Sequence, residues 1–565
     1  MAQILCNTTS PLNDFFKKSM LVSPGPPALY RLNTKRTNLD TDRGKIRKWT
    51  FGQTIRKWTM SRYGQWTCGE NKTILMVGET GTGKTTVINT MVNYFLGVKF
   101  EDKVWFEITE EGKRDQTESQ TSEITAYEIF VKQRPFSLTI IDTPGYGDTR
   151  GIEKDTEIAQ NLYKLFVHDT GVKSLDAVCL VLKSSQNRIS EVQHYIFEAV
   201  LSLFGKDIED IVVLFITHSD GGPPTNALEA VEKEKIPCRY DTDNEPVHFI
   251  FNNRQSEKCT TKYECVFKSA WEMGERSMDE FFEFLKTQQK KSLTLTISVL
   301  KERMQLEACV QSLKERIKFM EAKQRELTQV QEALEQNKKE IEKDGKFPFT
   351  IKVTYKEKVN ITDVSWKNRK ITSCNECEEN CHEFGCWFAS GAQWCEIMKN
   401  KHCTVCQCHY SKHTKEGKKY VIKEKVETVT FEELKNKYLA SNQERTSYDE
   451  NAFKSVETVH EIKLKVKKNK TNLETRLKSL LDDNERQKGR LVKDAYVAIL
   501  KLTEIALKPD SAFTVQYLDF LIPRVEDAGE REWAQKLKSI QKDAAKESIK
   551  ATVGYLRGND YFFRK

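Results

Sequence analysis

Eight residues constrain this chain more than any others. Gly78-Glu79-Thr80-Gly81-Thr82-Gly83-Lys84-Thr85 fits G-x-x-x-x-G-K-[ST] without deviation. An apolar run at 73–77 precedes it, and a helical pattern including 87–96 follows. The chain must therefore pass from a buried strand through a glycine-rich turn into a helix. A strand of this kind belongs to a mostly parallel sheet covered by helices. In such a turn backbone N–H groups curl around phosphate oxygens, and the helix N-terminus adds its positive end. Lys84 is expected to reach the β- and γ-phosphates and Thr85 to hold Mg²⁺, with Glu79 to Gly83 and Thr86 completing the cradle. A chance Gly-rich turn followed by Lys-Thr would need neither this spacing nor this context.

Further apolar runs at 124–131, 137–141, 177–182, 211–216 and 247–251 read as strands, and 190–204 as a helix. The fold expected is an α/β P-loop G domain, three layers with a mostly parallel sheet. Three strand-end motifs select the nucleotide. Asp142-Thr143-Pro144-Gly145 follows the third run: Asp142 would reach Mg²⁺ through water, and the Gly145 N–H would bond the γ-phosphate. Thr217-His218-Ser219-Asp220 ends the fifth run, where a carboxylate can accept both N1–H and the N2 amine of guanine. Asn252-Asn253 ends the last run, placing small polar residues over the base. The cofactors expected are GTP or GDP with Mg²⁺.

With these motifs, residues 72–253 resemble the septin-like and immunity-associated (AIG-type, GIMAP-like) GTPases. The resemblance covers about a third of the chain. The whole chain also resembles a group of fish proteins that combine such a G domain with a coiled coil and a Cys-rich insert. The resemblance implies a switch threonine on Mg²⁺, best matched by Thr121, with Thr117 and Thr125 as rivals. Thr217 and His218 stand where most GTPases carry Asn and Lys, so guanine preference rests mainly on Asp220. The residues expected to act on the γ-phosphate are Lys84, Thr121 and Gly145. Tyr146, Gly147, Asp148 and Arg150 follow Gly145, and none is a convincing water-positioning group. Slow hydrolysis is expected, completed across a homodimer or oligomer as in self-assembling relatives.

At 565 residues the chain exceeds a single core, and six segments are expected. Residues 1–70 form a basic arm. Its near-repeat, Ile46-Arg47-Lys48-Trp49-Thr50 and Ile55-Arg56-Lys57-Trp58-Thr59, reads either as a strand-like segment docking through Trp49 and Trp58 or as a membrane or nucleic-acid patch. Residues 71–280 form the G domain. In 281–345, Val299, Leu306, Leu313, Met320, Leu327, Leu334 and Ile341 recur at a stride of seven. Val310 and Ile317 partly fill a second seam, in which Gln324 and Gln331 are polar. This pattern predicts a coiled-coil helix about 80 Å long. Val459, Val466, Leu473 and Leu480 repeat the stride in 430–508, which Pro509 ends. The simplest topology pairs the two as a long antiparallel stalk with 346–429 at its far tip; a parallel homodimer is the rival. Residues 509–565 form a C-terminal helical element around 517–521 and 533–540.

Eight of the fifteen cysteines lie between Cys374 and Cys408. Cys374-x2-Cys377 and Cys403-x2-Cys406 form a zinc signature, because each pair sets two thiolates on one tight turn. The simplest site uses these four. Cys381, Cys386, Cys395, Cys408 and His413 leave ligands for a second ion, and an interleaved pairing is equally open. The metal would be structural Zn²⁺, with disulfides or unligated thiols as the bland alternative. Strand-like runs at 349–357 and 420–429 flank the cluster and should pair as an antiparallel neck. Lys399, Lys401, Lys412, Lys415, Lys418 and Lys419 make the knob basic: either a surface for an unidentified protein partner or a solvated tip.

The net charge of +8 is modest and does not point to nucleic acid. No run approaches the ~20 apolar residues of a membrane span, and residues 1–20 show no secretory h-region. A reducing, cytoplasmic location is expected. Three functions compete: a GTP-controlled switch or assembly protein, an SMC-like ATPase with a metal hook, and a scaffold whose nucleotide is never turned over. The second needs another catalytic half after the coiled coil, which residues 508–565 are too few to supply.

Overall fold

The computed structural model describes residues 12–39, 46–52, 59–60, 66–67, 70–79, 81–109, 124–143, 161–185, 197, 200–337, 339, 348–361, 370–383, 391–430, 433, 479, 482, 485–509 and 512–547. The chain divides into two units. One comprises Met1–Glu302, Leu500–Ile522 and Ala534–Lys565; the other comprises Arg303–Ile499 and Pro523–Trp533.

Along the chain the first unit contributes β1 (Ser19–Ser23), β2 (Ala28–Leu32), β3 (Lys35–Asn38), β4 (Ile46–Phe51), β5 (Glu70–Gly78), α1 (Lys84–Leu96), β6 (Val104–Glu107), β7 (Ile124–Ile129) and β8 (Phe136–Asp142). It continues with β9 (Ala177–Lys183), β10 (Val212–Thr217), α2 (Thr225–Lys233), β11 (His248–Ile250), α3 (Glu264–Thr287) and the start of α4 (Thr294–Gln336). Eight strands form one mixed sheet in the order β11-β10-β9-β5-β8-β7-β4-β3. The central pairs β8–β5, β5–β9, β9–β10 and β10–β11 are parallel, whereas β7 runs antiparallel to β8. Ile74 to Val77, Val178 to Val181 and Val212 to Ile216 are fully buried, as central strands covered on both faces require. On one face α1 and α3 close the core. Phe281 of α3 stands edge-on to Phe215 at 4.8 Å and to Phe249 at 5.2 Å.

Part of segment 1–70 belongs to this sheet rather than to a separate arm. β4 pairs in parallel with β7, and β1 and β2 form a small sheet with β6. Trp49 docks as the sequence suggests: it is buried edge-on to Tyr127 at 5.4 Å and beneath the Arg36 guanidinium at 4.3 Å. Trp58 and nearly all of the second copy of the repeat lie outside the described residues, as do most of 190–204.

In the second unit β12 (Pro348–Asn360) pairs antiparallel with β18 (Lys418–Thr430) at thirteen consecutive positions, from Pro348 opposite Thr430 to Asn360 opposite Lys418. Between them lie β13 (Ile371–Cys374), β14 (Glu379–His382), β15 (Met398–Lys399), β16 (His402–Cys403) and β17 (His413–Glu416). A three-stranded sheet runs β14-β13-β17.

The stride of seven in α4 marks buried residues. Val299, Leu306, Leu313 and Val310 are buried; Met320 and Ile317 are half-buried. Arg303, Ala308, Cys309, Ser312 and Arg316 are buried as well, so burial extends around the helix beyond an a/d stripe. The side chains of Leu327, Leu334 and Ile341 and the whole second repeat (Val459, Val466, Leu473, Leu480) lie outside the described residues.

Nor does the Cys-rich segment sit at the far tip of a stalk. β12 doubles back along α4: Lys352 N–H donates to Gln329, Thr354 N–H to Glu326, and farther along the chain Glu379 meets Arg316. As residue numbers rise from β12 onward, their partners on the helix fall. A heptad pattern shows only that a face is apolar, not which element lies along it; here β12 runs beside Glu326 and Gln329. Helical residues 485–505 end before Pro509 as expected, and the Arg490 guanidinium donates to the Val405 carbonyl. The C-terminal part forms α5 (Ala512–Asp527) and α6 (Arg531–Glu547).

Candidate functional site

The glycine-rich turn leaves β5 at Gly78 and enters α1 at Lys84. A Cβ on Gly78 would lie 2.8 Å from the Val181 carbonyl oxygen, so only glycine lets β9 approach this closely. Gly81 and Gly83 adopt left-handed φ angles of 82° and 85°, a conformation that favours glycine. Thr82 closes the turn, its hydroxyl donating to the Glu79 carbonyl at 2.8 Å. Gly83 caps α1 without a side-chain hydrogen bond, and the first turn carries no acidic residue. The leading N–H groups of a 13-residue helix thus lack a side-chain cap.

Three strand ends converge on this turn. Asp142, at the end of β8, is buried, with a carboxylate oxygen 3.8 Å from the Lys84 ammonium. Thr143 is tied down by its hydroxyl, which donates to the Met76 carbonyl at 2.9 Å. At the end of β10 the buried Thr217 hydroxyl lies 2.7 Å from the Thr82 carbonyl and 3.0 Å from that of Leu182. Thr217 therefore braces the cradle against β9 and β10. His218 follows at φ 55°, a conformation rare for a side-chain-bearing residue outside special sites. Its Nδ1 lies 3.0 Å from the Thr217 hydroxyl. Burial, with the nearby Lys183 ammonium, pushes its pKa below the usual histidine value. Asp220 is exposed, and one carboxylate oxygen accepts from Gly222 N–H at 3.0 Å, which fixes the loop and leaves the other oxygen available.

Asn253 turns toward α1, where its amide oxygen accepts from the Thr90 hydroxyl at 3.0 Å; Asn252 is half-buried beside it. Thr125, one candidate switch threonine, lies on β7 in register opposite Asp142. Thr80, Thr117, Thr121 and Gly145 lie outside the described residues. Sequence reasoning missed two buried asparagines of α1. Asn93 exchanges two hydrogen bonds with the Phe106 backbone, and Asn89 receives the Ile108 N–H. They fasten α1 to β6 immediately before segment 110–123. Their only signal is polarity at helix positions that the apolar pattern would fill.

No described cysteine is joined in a disulfide. In the Cys-rich segment the donor atoms of Cys374, Cys377, Cys406 and Cys408 lie within 4.8 Å of one another, as do those of Cys381, Cys403, Cys406 and His413. This is an interleaved arrangement and differs from the simplest pairing. Cys403 joins Cys381 and His413, while Cys408 takes its place beside Cys377 at 3.3 Å. β13–β17 pairing sets Cys374 of one group opposite His413 of the other, so the two groups lie side by side. Cys395 falls in a third group with His382 and Glu396, its sulfur 3.3 Å from His382 Nδ1. The sequence reading did not enlist His382 or Glu396. Cys386 lies outside the described residues.

Comparison with known proteins bears on the first unit. Residues 72–283 match the AIG1 family. The chain is 27% identical over 152 residues to translocase of chloroplast 34 from Pisum sativum, covering 27% of this chain and 42% of that one. It is 32% identical over 103 residues to septin-2B of Xenopus tropicalis, covering 17% of this chain and 26% of the other. The chain thus spans less than half the length of these relatives. Among solved structures, Toc33 from Arabidopsis thaliana in complex with Mg²⁺ and GMPPNP is 16% identical with a TM-score of 0.27, covering 39% of this chain and 88% of that one. Residues 72–283 carry an AIG-type, septin-like P-loop GTPase sequence.

Proposed function

We propose that this chain binds a guanine nucleotide with Mg²⁺ at the β5–α1 turn and hydrolyses GTP slowly, its nucleotide state acting as a switch for partners held elsewhere on the chain. One observation carries the reading: Lys84, Asp142 and the brace from Thr217 to Thr82 meet at the C-terminal ends of adjacent parallel strands, where open α/β sheets bind ligands. Thr85 and Asp142 would hold Mg²⁺, with Thr121 as a third ligand in the GTP state and Gly145 on the γ-phosphate. Mg²⁺ would neutralise charge on the β- and γ-phosphates. Lys84 would sit against the same oxygens, and its proximity to Asp142 keeps its ammonium aimed into the cradle. Asp220 would select guanine, and Asn252 would close over the base.

The Cys-rich segment would hold structural zinc and, with its lysines, form a protein-docking surface. The position of Glu379 beside Arg316, midway along α4, argues against an apical metal hook. No helix among the described residues is long and apolar enough to cross a membrane.

The test is phosphate release under multiple turnover. GTP should be hydrolysed and ATP should not, Lys84→Met should abolish release, and the rate per site should rise with protein concentration. Hydrolysis of ATP would overturn the nucleotide assignment. A concentration-independent rate would overturn assembly-assisted turnover, and no release from bound GTP would leave a scaffold.

A further inference from the structure

The two donor groups of the Cys-rich segment share one member, Cys406. We propose that the seven side chains Cys374, Cys377, Cys381, Cys403, Cys406, Cys408 and His413 hold a pair of zinc ions bridged by the Cys406 thiolate. This rests on the reading that the segment binds zinc, and goes beyond it in number and connectivity.

The count comes first. Two tetrahedral ions need eight donor positions, and seven side chains supply eight only if one is shared. A thiolate sulfur has the lone pairs to serve two ions. Cys406 is the residue common to both groups, and its sulfur also lies 3.2 Å from His413 Nε2.

Distances come next. With Zn–S near 2.3 Å and Zn–N near 2.0–2.1 Å, a tetrahedron has S···S edges of about 3.8 Å and S···N edges of about 3.6 Å. Cys377 and Cys408 are separated by 3.3 Å, and Cys381 Sγ and His413 Nε2 by 3.7 Å. A disulfide would need about 2.05 Å.

The backbone is shaped for the same purpose. Each Cys-x2-Cys turn is followed by a left-handed residue, Glu378 at φ 52° and Gln407 at φ 66°. Cys377 N–H points at Cys374 Sγ at 3.4 Å, and Gln407 N–H donates to the Cys403 carbonyl at 2.9 Å. Cys403 N–H donates to the Cys408 carbonyl, also at 2.9 Å, bending the chain so that Cys408 returns to the first group. His413 is oriented from behind: Nδ1–H donates to the His409 carbonyl at 3.1 Å, leaving Nε2 as the ligating nitrogen.

Six thiolates and two Zn²⁺ leave a net charge of about −2, which the lysine-rich surroundings oppose. Two linked ions also explain how so small a fold holds together. Among its described residues the buried aliphatic side chains between β12 and β18 are Ile371, Ala392, Ile397 and Val405, a small set that metal–ligand bonds would supplement.

The test is cadmium-113 NMR of the full chain after metal exchange, beside zinc analysis of wild type and of variants in a Cys395→Ala background that silences the third group. Two thiolate-type resonances are expected, the four-sulfur ion downfield of the three-sulfur, one-nitrogen ion. Each should be split by coupling through the shared sulfur. Zinc analysis should give two ions per chain, Cys408→Ala should retain one, and Cys406→Ala should release both. A single ion, or two without mutual coupling, would overturn the shared-thiolate cluster and leave a zinc site. A full chain free of zinc that takes up no cadmium would retire the zinc reading itself.

Discussion

Arg316→Met is the sharpest probe of how the second unit is put together. Arg316 is 4% exposed, and its guanidinium lies 2.5 Å from a Glu379 carboxylate oxygen; the Glu379 side chain is 10% exposed. Lys356 is the other cation near that carboxylate, at 3.7 Å. Burial raises the Glu379 pKa above the usual carboxylate value, while Arg316 and then Lys356 pull it back down. Removing one partner of a buried pair costs about 3–5 kcal/mol, and because Lys356 remains, the lower end, about 3 kcal/mol, is expected. Replacing both residues with apolar ones, Arg316→Met with Glu379→Leu, should recover most of this loss, since a buried pair roughly breaks even against hydrophobic residues.

The assay is native-state hydrogen exchange followed by mass spectrometry on the peptide covering 371–383, at constant zinc load. A loss of about 3 kcal/mol lowers protection about 150-fold. The double variant should return to within about tenfold of wild type. Were the Cys-rich segment at the end of a stalk, Arg316 would be a solvated helix residue and its loss would change protection less than about threefold, within ±0.5 kcal/mol. That result would refute the folded-back hairpin.

Lys84→Met should weaken GTP binding about 150-fold, because a charge-assisted contact of about 3 kcal/mol is lost, with no change in the circular dichroism of the apo chain; unchanged affinity would remove Lys84 from the site. Thr217→Val keeps shape but leaves the Thr82 and Leu182 carbonyls without their shared donor, so a stability loss of about 1–3 kcal/mol is expected by chemical denaturation. His218 should titrate by NMR with a midpoint below the ordinary 6.5. Its neutral form is favoured on folding, so the unfolded chain binds the proton more readily. Stability from this group is present above 6.5 and falls as pH drops through the folded midpoint; a midpoint above 6.5 would reverse the sign.

How much of this was legible beforehand follows from the kind of signal. The central strands could be read because apolar runs such as Ala177–Lys183 are buried on both faces, and the glycine-rich turn because its φ angles demand Gly81 and Gly83. β4 was harder: Ile46 and Trp49 stand three apart, so the segment lacks the alternation of a half-covered strand, and nothing in it names β7 as its neighbour. The helix pattern of α4 gave the correct buried face at Val299, Leu306 and Leu313 but not the strand beside Glu326 and Gln329, because period alone does not say which element lies along a helix. In the cysteine cluster, spacing identified two turns. The exchange of Cys403 and Cys408 between groups depends on the chain reversal after Cys406, which spacing does not encode.

The central claim is that the Asp220 carboxylate reads guanine over a cradle gripped by Lys84. Displacement of a fluorescent GDP analogue by GTP, ITP and ATP, in wild type and in Asp220→Ala, tests it most directly. GTP should compete best. ITP, lacking the N2 amine, should be about tenfold weaker through the loss of one hydrogen bond of about 1.5 kcal/mol, and ATP weaker still, while Asp220→Ala should bring GTP and ITP together. Equal competition by ATP and GTP in the wild-type chain would contradict the account.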